Sequence, residues 1–294
     1  MTKDRLAPVL KMFDSLKDSP GRRIYVSRAF DYYTRQATID KLHAMSIQVG
    51  TPDILQDRKF LKIMFKDMQV QRQDFFENIL YGLNFLRRKE EQALISPGEE
   101  TRWMSELLNN KVSYAPAANK VIVPEYLLQP PICQPNFPLS VNMGGLGVMM
   151  AEALVEGVLG TGSVFSINGE LLDGDDASNF TLKRPTVAIN ALKRPSQCLL
   201  SAYSAFGVDT PDQLTKASLN TAVGAVALSV AYSSFSEMTE DSGGSILPGL
   251  QQFDPPSLFF LSYTQSLCST RTLQQRGLDR TLQEGLLEKE RLRG

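Results

Sequence analysis

Histidine is almost absent from this chain. Its 294 residues include a single histidine, His43, so one chain cannot supply the two imidazoles that most catalytic zinc sites require. A lone histidine remains compatible with a Ser–His or Cys–His mechanism, so the count does not exclude hydrolases as a class. The sequence around His43 is charged and patterned as a helix, and no serine or cysteine can be assigned to it. We therefore expect a surface or partly packed side chain.

Cysteine is also scarce, and neither sign of charge is in excess. Cys133, Cys198 and Cys268 are too few and too widely spaced for a disulfide scaffold or a Cys-x-x-Cys zinc site. The 31 lysines and arginines against 32 aspartates and glutamates give a formal net charge of −1. We expect neither nucleic acid nor an anionic membrane surface as the main partner, because both select a basic surface.

Hydrophobic runs of the kind that direct secretion or anchor a protein are also missing. The first residues lack an apolar stretch of signal-peptide length. Residues 217–236 carry no charge, but they are rich in Ala, Ser and Thr and include Asn220 and Gly224. This composition favours a buried helix over a membrane span. The sequence as written is expected to contain neither signal nor anchor, and its compartment stays open.

The sequence changes character twice. Residues 1–100 have apolar side chains at three- and four-residue spacing among charged ones, which predicts helices. Residues 101–270 combine short β-branched, proline-rich and glycine-rich stretches with apolar segments. Residues 271–294 form a charged amphipathic tail. We take these three ranges as the organisation of the chain.

Several elements are predicted inside the middle range. Lys120–Val123 is β-branched and lies between turn formers, which indicates a strand. The apolar residues 148–158 predict a mostly buried helix, and further helices are expected at about 214–238 and 256–270. The turn-rich stretch that includes Asn168-Gly169 and Asp173-Gly174 favours a hairpin.

Short blocks of sequence in this range occur in an order that matches a known family. Residues 141–148 read Val-Asn-Met-Gly-Gly-Leu-Gly-Val, and the other blocks lie at 119–124, 128–131, 135–138, 196–198, 247–250 and 259–268. Together they resemble the neprilysin and endothelin-converting-enzyme family of zinc metallopeptidases, over roughly residues 30–270. The resemblance implies a mainly α (α+β) fold: a thermolysin-like gluzincin peptidase lobe with a small β-element, incomplete relative to the family. The family is typically anchored in the plasma membrane with its peptidase lobe outside the cell, or secreted.

The chain departs from the family at the catalytic helix. The family's His-Glu-x-x-His motif places two imidazoles on one helix face, where both reach one zinc ion, and its glutamate takes a proton from the zinc-bound water. The glycine frame aligns Glu152 and Glu156 with the two histidines. Ala153 aligns with the general base. The resemblance therefore implies that zinc, the family's cofactor, is not bound by this chain.

Other family positions are replaced as well. Asn220 aligns with the third zinc ligand, a glutamate, and Gly224 with the aspartate that orients a ligating histidine. The substrate-gripping Asn-Ala pair of the family aligns with Lys111 and Val112. Cys198 and Cys268 match family positions that are normally disulfide-bonded, but their usual partner segments are not found here. We expect both thiols to be free or paired outside the chain.

Glu152, Glu156 and Asn220 leave two interpretations open. Two carboxylates and an amide oxygen form a weak hard-oxygen site, better suited to Ca²⁺ or Mg²⁺ than to zinc. The alternative is a solvated cleft wall without any metal, and this is the interpretation we favour.

Three functions remain compatible with the sequence. The first is a catalytically inactive homologue that binds peptides or an active relative. The second is a truncated relic without a stable role. The third is a residually active metalloendopeptidase, which one histidine and the absent base disfavour.

Overall fold

The chain folds as a helical assembly around a small sheet. The computed structural model describes residues 3–26, 30–51, 57–95, 111–172, 184–205, 216–242 and 247–268, with residues 55, 272 and 274. The α-helices are α1 (Lys3–Val26), α2 (Tyr32–Ala44), α3 (Arg58–Met64), α4 (Phe75–Ile95), α5 (Leu139–Asn142), α6 (Val148–Leu159), α7 (Arg184–Ala205), α8 (Lys216–Ser242) and α9 (Pro255–Ser266). The strands are β1 (Ser46–Val49), β2 (Ser113–Ala115) and β3 (Lys120–Val123).

The sheet joins the first range of the chain to the second. Its strand order is β1-β3-β2. β1 runs parallel to β3, with Ser46 opposite Lys120, whereas β2 runs antiparallel to β3. The apolar side chains of Val121, Ile122 and Val123 are fully buried, so the middle strand lies inside the core.

A long buried helical rod forms the centre of the fold. α5 continues into a π-helical segment, Met143–Gly147, and this segment continues directly into α6. The extra residue per turn of a π-helix is accommodated where Gly144 and Gly145 lie against neighbouring backbone. A Cβ on Gly144 would overlap the carbonyl oxygen of Phe259 in α9, and one on Gly145 would approach that of Ile132. α8 packs along α6, while α7 packs on both of them.

The rod is also the one described segment that is long and apolar enough to cross a membrane. It runs from Leu139 to Val164, and 78% of its most apolar window is buried inside the fold. Burial of this extent is typical of the core helix of a globular protein.

Most of the predicted elements are present. The strand Lys120–Val123 is confirmed, the helix expected at 148–158 is α6, and those expected at 214–238 and 256–270 are α8 and α9. Around Asn168-Gly169, Phe165 and Leu171 form an antiparallel bridge, as the hairpin prediction requires. Asp173-Gly174 and the tail lie outside the described residues, apart from residues 272 and 274.

Two elements differ from the sequence prediction. The first hundred residues are not entirely helical, because β1 interrupts the helices and pairs with β3. α7 was not predicted, since Pro195 stands inside it and Pro185 at its beginning, and proline normally ends a helix. At the first turn a proline removes no helical hydrogen bond, so only Pro195 opposes the helix.

We expect the contact between the rod and α9 to be intolerant of a single methyl group. Gly144→Ala should lower the free energy of unfolding by about 1–3 kcal/mol, because backbone atoms of α9 would have to move. The control is Gly82→Ala in α4, where a Cβ would meet open space. This control should raise the free energy of unfolding by about 0.8–1 kcal/mol through helix propensity. Urea denaturation of both variants measures the difference, and equal effects would contradict the assigned packing.

Candidate functional site

The middle of α6 carries the residues that the resemblance equates with the catalytic motif. Glu152 and Glu156 are half-buried and lie one helical turn apart, so they share one face of α6. Ala153 is buried, with 4% of its surface exposed. Its methyl group therefore packs in the core, and its position offers no proton acceptor.

The carboxylate of Glu156 accepts hydrogen bonds from the turn that follows α6. Both the backbone N–H and the hydroxyl of Thr161 donate to its Oε1, at 2.9 and 2.6 Å. The carboxylate also lies over Gly160, where a Cβ would overlap it. Glu156 thus joins the C-terminal end of α6 to the turn that follows. To bind a metal ion through Oε1, Glu156 would have to give up its hydrogen bonds to Thr161.

A buried lysine fixes the same turn from the other side. Lys41 of α2 is fully buried, and its Nζ donates to the carbonyl oxygens of Gly162 and, at 2.8 Å, of Phe165. The ammonium also lies 5.5 Å from the centre of the Tyr114 ring. The hydroxyl of Tyr114 is 2.8 Å from Oδ1 of Asn119. Paired in this way, the buried cation holds the turn after α6 against α2 and β2.

This lysine was missed by the sequence analysis. Lys41 stands in a helix patterned like many others, and its local sequence does not distinguish a buried lysine from an exposed one. Thr161 was missed for a similar reason, because only the folded turn brings it to Glu156.

α8 carries the remaining positions that the resemblance singles out. Asn220 is half-buried, and Gly224, one turn further along, is buried. Because α8 packs along α6, the three positions equated with zinc ligands lie on two neighbouring helices. Within the described part of the chain, no three side chains of His, Cys, Asp or Glu converge on a point that could hold a metal ion.

The donor set at these positions does not fit zinc. It comprises two carboxylates, one of them already bonded to Thr161, and one amide; zinc in proteins prefers imidazole and thiolate ligands. His43, the single imidazole of the chain, is exposed in the last turn of α2. Hard oxygen donors favour Ca²⁺ or Mg²⁺ over zinc. The hydrogen bonds between Thr161 and Glu156 oppose the binding of these ions as well.

The region equated with the substrate-gripping residues borders β2, one of the two edge strands of the described sheet. Val112 is 7% exposed and belongs to the core, whereas Lys111 is exposed. The predicted strand Lys120–Val123 has no outer edge to offer a peptide, because β3 is the central strand and pairs with β1 and β2 on its two sides. Among the described strands, β2 is the edge that follows directly after Val112.

The cysteines form no disulfide with one another. Cys198 and Cys268 are exposed free thiols, while Cys133 is buried. Burial raises the pKa of the Cys133 thiol to about 11, because the apolar surroundings disfavour the thiolate. Cys133 is therefore protonated near neutral pH and is a poor nucleophile.

Solved structures share this arrangement of helices and sheet. A zinc metalloprotease of Mycobacterium tuberculosis, solved with an inhibitor, matches 98% of this chain with a TM-score of 0.75 and 19% identity, over 42% of its own chain. The galactose-containing glycoprotein complex of Haemonchus matches 99% of this chain with a TM-score of 0.76 and 20% identity, over 47% of its own chain. The mainly α peptidase-lobe fold is thus confirmed.

Sequence comparison identifies the family. The sequence model of Peptidase family M13 matches residues 111–284, which are more than half of the chain. The chain therefore belongs to this family. An endothelin-converting enzyme homolog of Locusta migratoria is 30% identical over 244 residues, which are 82% of this chain and 32% of the relative. Human neprilysin is 26% identical over 249 residues, with the same two coverages. The chain spans about a third of the length of these relatives.

The Glu156–Thr161 contact predicts a loss of stability on truncation. Glu156→Ala should lower the free energy of unfolding by about 1 kcal/mol, because the N–H and the hydroxyl of Thr161 lose their shared acceptor. Glu156→Gln keeps an acceptor oxygen and should retain at least half of that stability. Chemical denaturation of both variants is the measurement. If the two variants are equally destabilised, the hydrogen-bonding role is wrong.

Proposed function

We propose that the chain is a catalytically inactive member of the M13 family that binds peptides without cleaving them. The observation that carries this proposal is the composition of α6: it has Glu152, Ala153 and Glu156 at the positions that the resemblance equates with two imidazoles and a base. The fold around them matches that of the solved structures, which supports placing the proposed replacements within a family-like lobe.

The general-base position argues most strongly against turnover. Proton transfer by a positioned base contributes typically about 10²–10⁴-fold to a rate. Ala153 has no titratable group, and only 4% of its surface is exposed. Glu152 and Glu156 are acids on the same face, but the bonds of Glu156 to Thr161 orient its carboxylate along the helix towards the turn.

The proposed peptide site is the outer side of β2, which is an edge strand among the described strands. An extended peptide adds to a sheet edge through main-chain hydrogen bonds, so this mode of binding needs none of the replaced side chains. The residues of β2 are half-buried, and the exposed Lys111 lies at its beginning. A cationic side chain at this point favours peptides with an acidic residue or a free carboxylate.

The first prediction of this proposal concerns metal and turnover. The purified protein should contain clearly less than one zinc per chain and should cleave no member of an oligopeptide panel, because its donor set and base position do not fit the reaction. Human neprilysin, tested with the same panel, is the positive control. Stoichiometric zinc with chelator-sensitive hydrolysis would establish an active enzyme instead. Thermal unfolding is measured in parallel, since a non-cooperative transition would indicate a relic.

A second prediction concerns repair of the site. A triple variant with Glu152→His, Glu156→His and Asn220→Glu should bind one zinc ion, measured by mass spectrometry of the native protein. Because it retains Ala153, it should hydrolyse no peptide. Adding Ala153→Glu tests whether the missing base alone then limits turnover.

The control for this repair is a double variant with only Glu152→His and Asn220→Glu. This double variant keeps the Glu156–Thr161 hydrogen bonds and has one introduced imidazole where the triple variant has two. It should therefore bind zinc at least tenfold more weakly than the triple variant. If the triple variant folds, as judged by circular dichroism, and takes up no zinc, then positions 152 and 156 of α6 and 220 of α8 do not correspond to the three zinc ligands.

A further inference from the structure

Helix α4 has an apolar face that the rest of the described structure leaves uncovered. Phe75, Phe76, Ile79, Leu80, Leu83 and Leu86 are each between 44% and 80% exposed. They occupy one side of a 21-residue helix. Single exposed apolar residues are ordinary, but a contiguous row of this size marks an interaction surface.

The opposite side of α4 already has its partners. The ring of Phe85 is buried and stacks on that of Phe65, which follows α3, with centroids 5.7 Å apart. Nζ of Lys89 lies 5.5 Å from the centre of the Phe85 ring. The side chain of Asn78 exchanges hydrogen bonds of 2.6 Å with both backbone groups of Gln71. These contacts fix the rotation of α4 and leave the apolar row facing outward.

α4 makes no extensive contact with the other described helices and strands. Helices in proteins owe most of their stability to packing of an apolar face rather than to intrinsic propensity. With its apolar face uncovered, α4 lacks the packing that normally stabilises a helix. A partner that covers this face would supply it.

The spacing along the row selects another helix as the cover. Phe76, Ile79, Leu83 and Leu86 are separated by three, four and three residues, which is the alternation of a two-helix coiled-coil seam. This alternation reads the same in both directions. In an antiparallel pair of identical helices, Phe76 would meet Leu86 of the second copy and Ile79 would meet Leu83, so each copy supplies the other's complement.

The area is sufficient for such a pair. With about 150–200 Å² for each large apolar side chain, the exposed fractions of the six residues give roughly 600 Å² per copy. Two copies would together bury about 1,200 Å², the lower bound of a standard specific interface. Phe75 and Leu80 flank the seam and extend this area beyond the four central residues.

We infer that the exposed face of α4 is a self-association surface, through which two copies of this chain pair by antiparallel packing of their α4 helices. The inference does not depend on the proposed loss of catalysis, because α4 carries none of the positions equated with the active site.

The first test is the mass of the wild-type protein in solution, measured by light scattering up to about 100 μM, where a micromolar dimer is saturated. We expect a dimer. Leu83→Glu should weaken it at least a hundredfold, because the two-fold axis places the charge in the interface twice. Leu86→Glu should act in the same way. Since these side chains are exposed in a single copy, both variants should keep the circular dichroism spectrum of the wild type.

The matched control is Leu171→Glu, which makes the same change at an exposed leucine of the hairpin outside α4. It should leave the dimer unchanged. A wild-type protein that is monomeric throughout this range overturns the inference, and the apolar face then has a different cover, such as a further lobe of a longer family chain. A dimer that survives Leu83→Glu overturns it equally.

Disulfide trapping tests the direction of pairing, in a background that carries Cys198→Ser and Cys268→Ser. Residues 76 and 86 lie about 15 Å apart along one helix, too far for a bridge within one copy. Phe76→Cys combined with Leu86→Cys should form a covalent dimer on oxidation, whereas Phe76→Cys alone should not. Trapping by Phe76→Cys alone would indicate parallel helices and would overturn the antiparallel arrangement.

Discussion

The fold depends on the close approach of the central helical rod to α9. At Gly144 the backbones are so near that a single methyl group would overlap the carbonyl oxygen of Phe259. The rings of Phe235, Phe259 and Tyr232 pack against one another, with Phe235 and Phe259 stacked 5.3 Å apart. α8 and α9 are thereby joined, and both contact the rod. The position of α6, and with it the candidate site, follows from this arrangement.

The packing and the chemistry of the site use different side chains. The buried residues of α6, such as Leu154, Val155 and Val158, hold the helix in the core. Glu152 and Glu156 lie on the half-buried face of α6 and contribute little apolar surface. Exchanging side chains on that face leaves the helix in place, so the proposed replacement of the motif is compatible with the family fold. In this chain Glu156 and Lys41 both bind the turn at 160–165, so groups in the region of the motif serve to stabilise it.

The sequence predicted those parts of the fold that local patterns determine. The β-branched run at Lys120–Val123 and the apolar segment that became α6 both carry their periodicity in a few consecutive residues, and both were found. β1 was missed because its four residues, Ser46–Val49, mix polar and apolar side chains and form a strand only by pairing with β3. α7 was missed because the local preference of Pro195 opposes a helix, which packing against α6 and α8 overrides. The burial of Lys41 depends on carbonyl groups 121 and 124 residues away, and no local signal reports it.

Loss of catalysis and retention of binding are compatible for a physical reason. Groups that act only in the transition state, such as a base or an activated water, contribute to turnover and not to the affinity for the ground state. Binding of an extended peptide to a strand edge relies on backbone donors and acceptors, which no side-chain replacement on α6 or α8 removes. Pairing through α4 relies on apolar area and is equally independent of the site. The proposed loss of the catalytic groups therefore leaves both proposed recognition surfaces, the outer side of β2 and the apolar face of α4, unchanged.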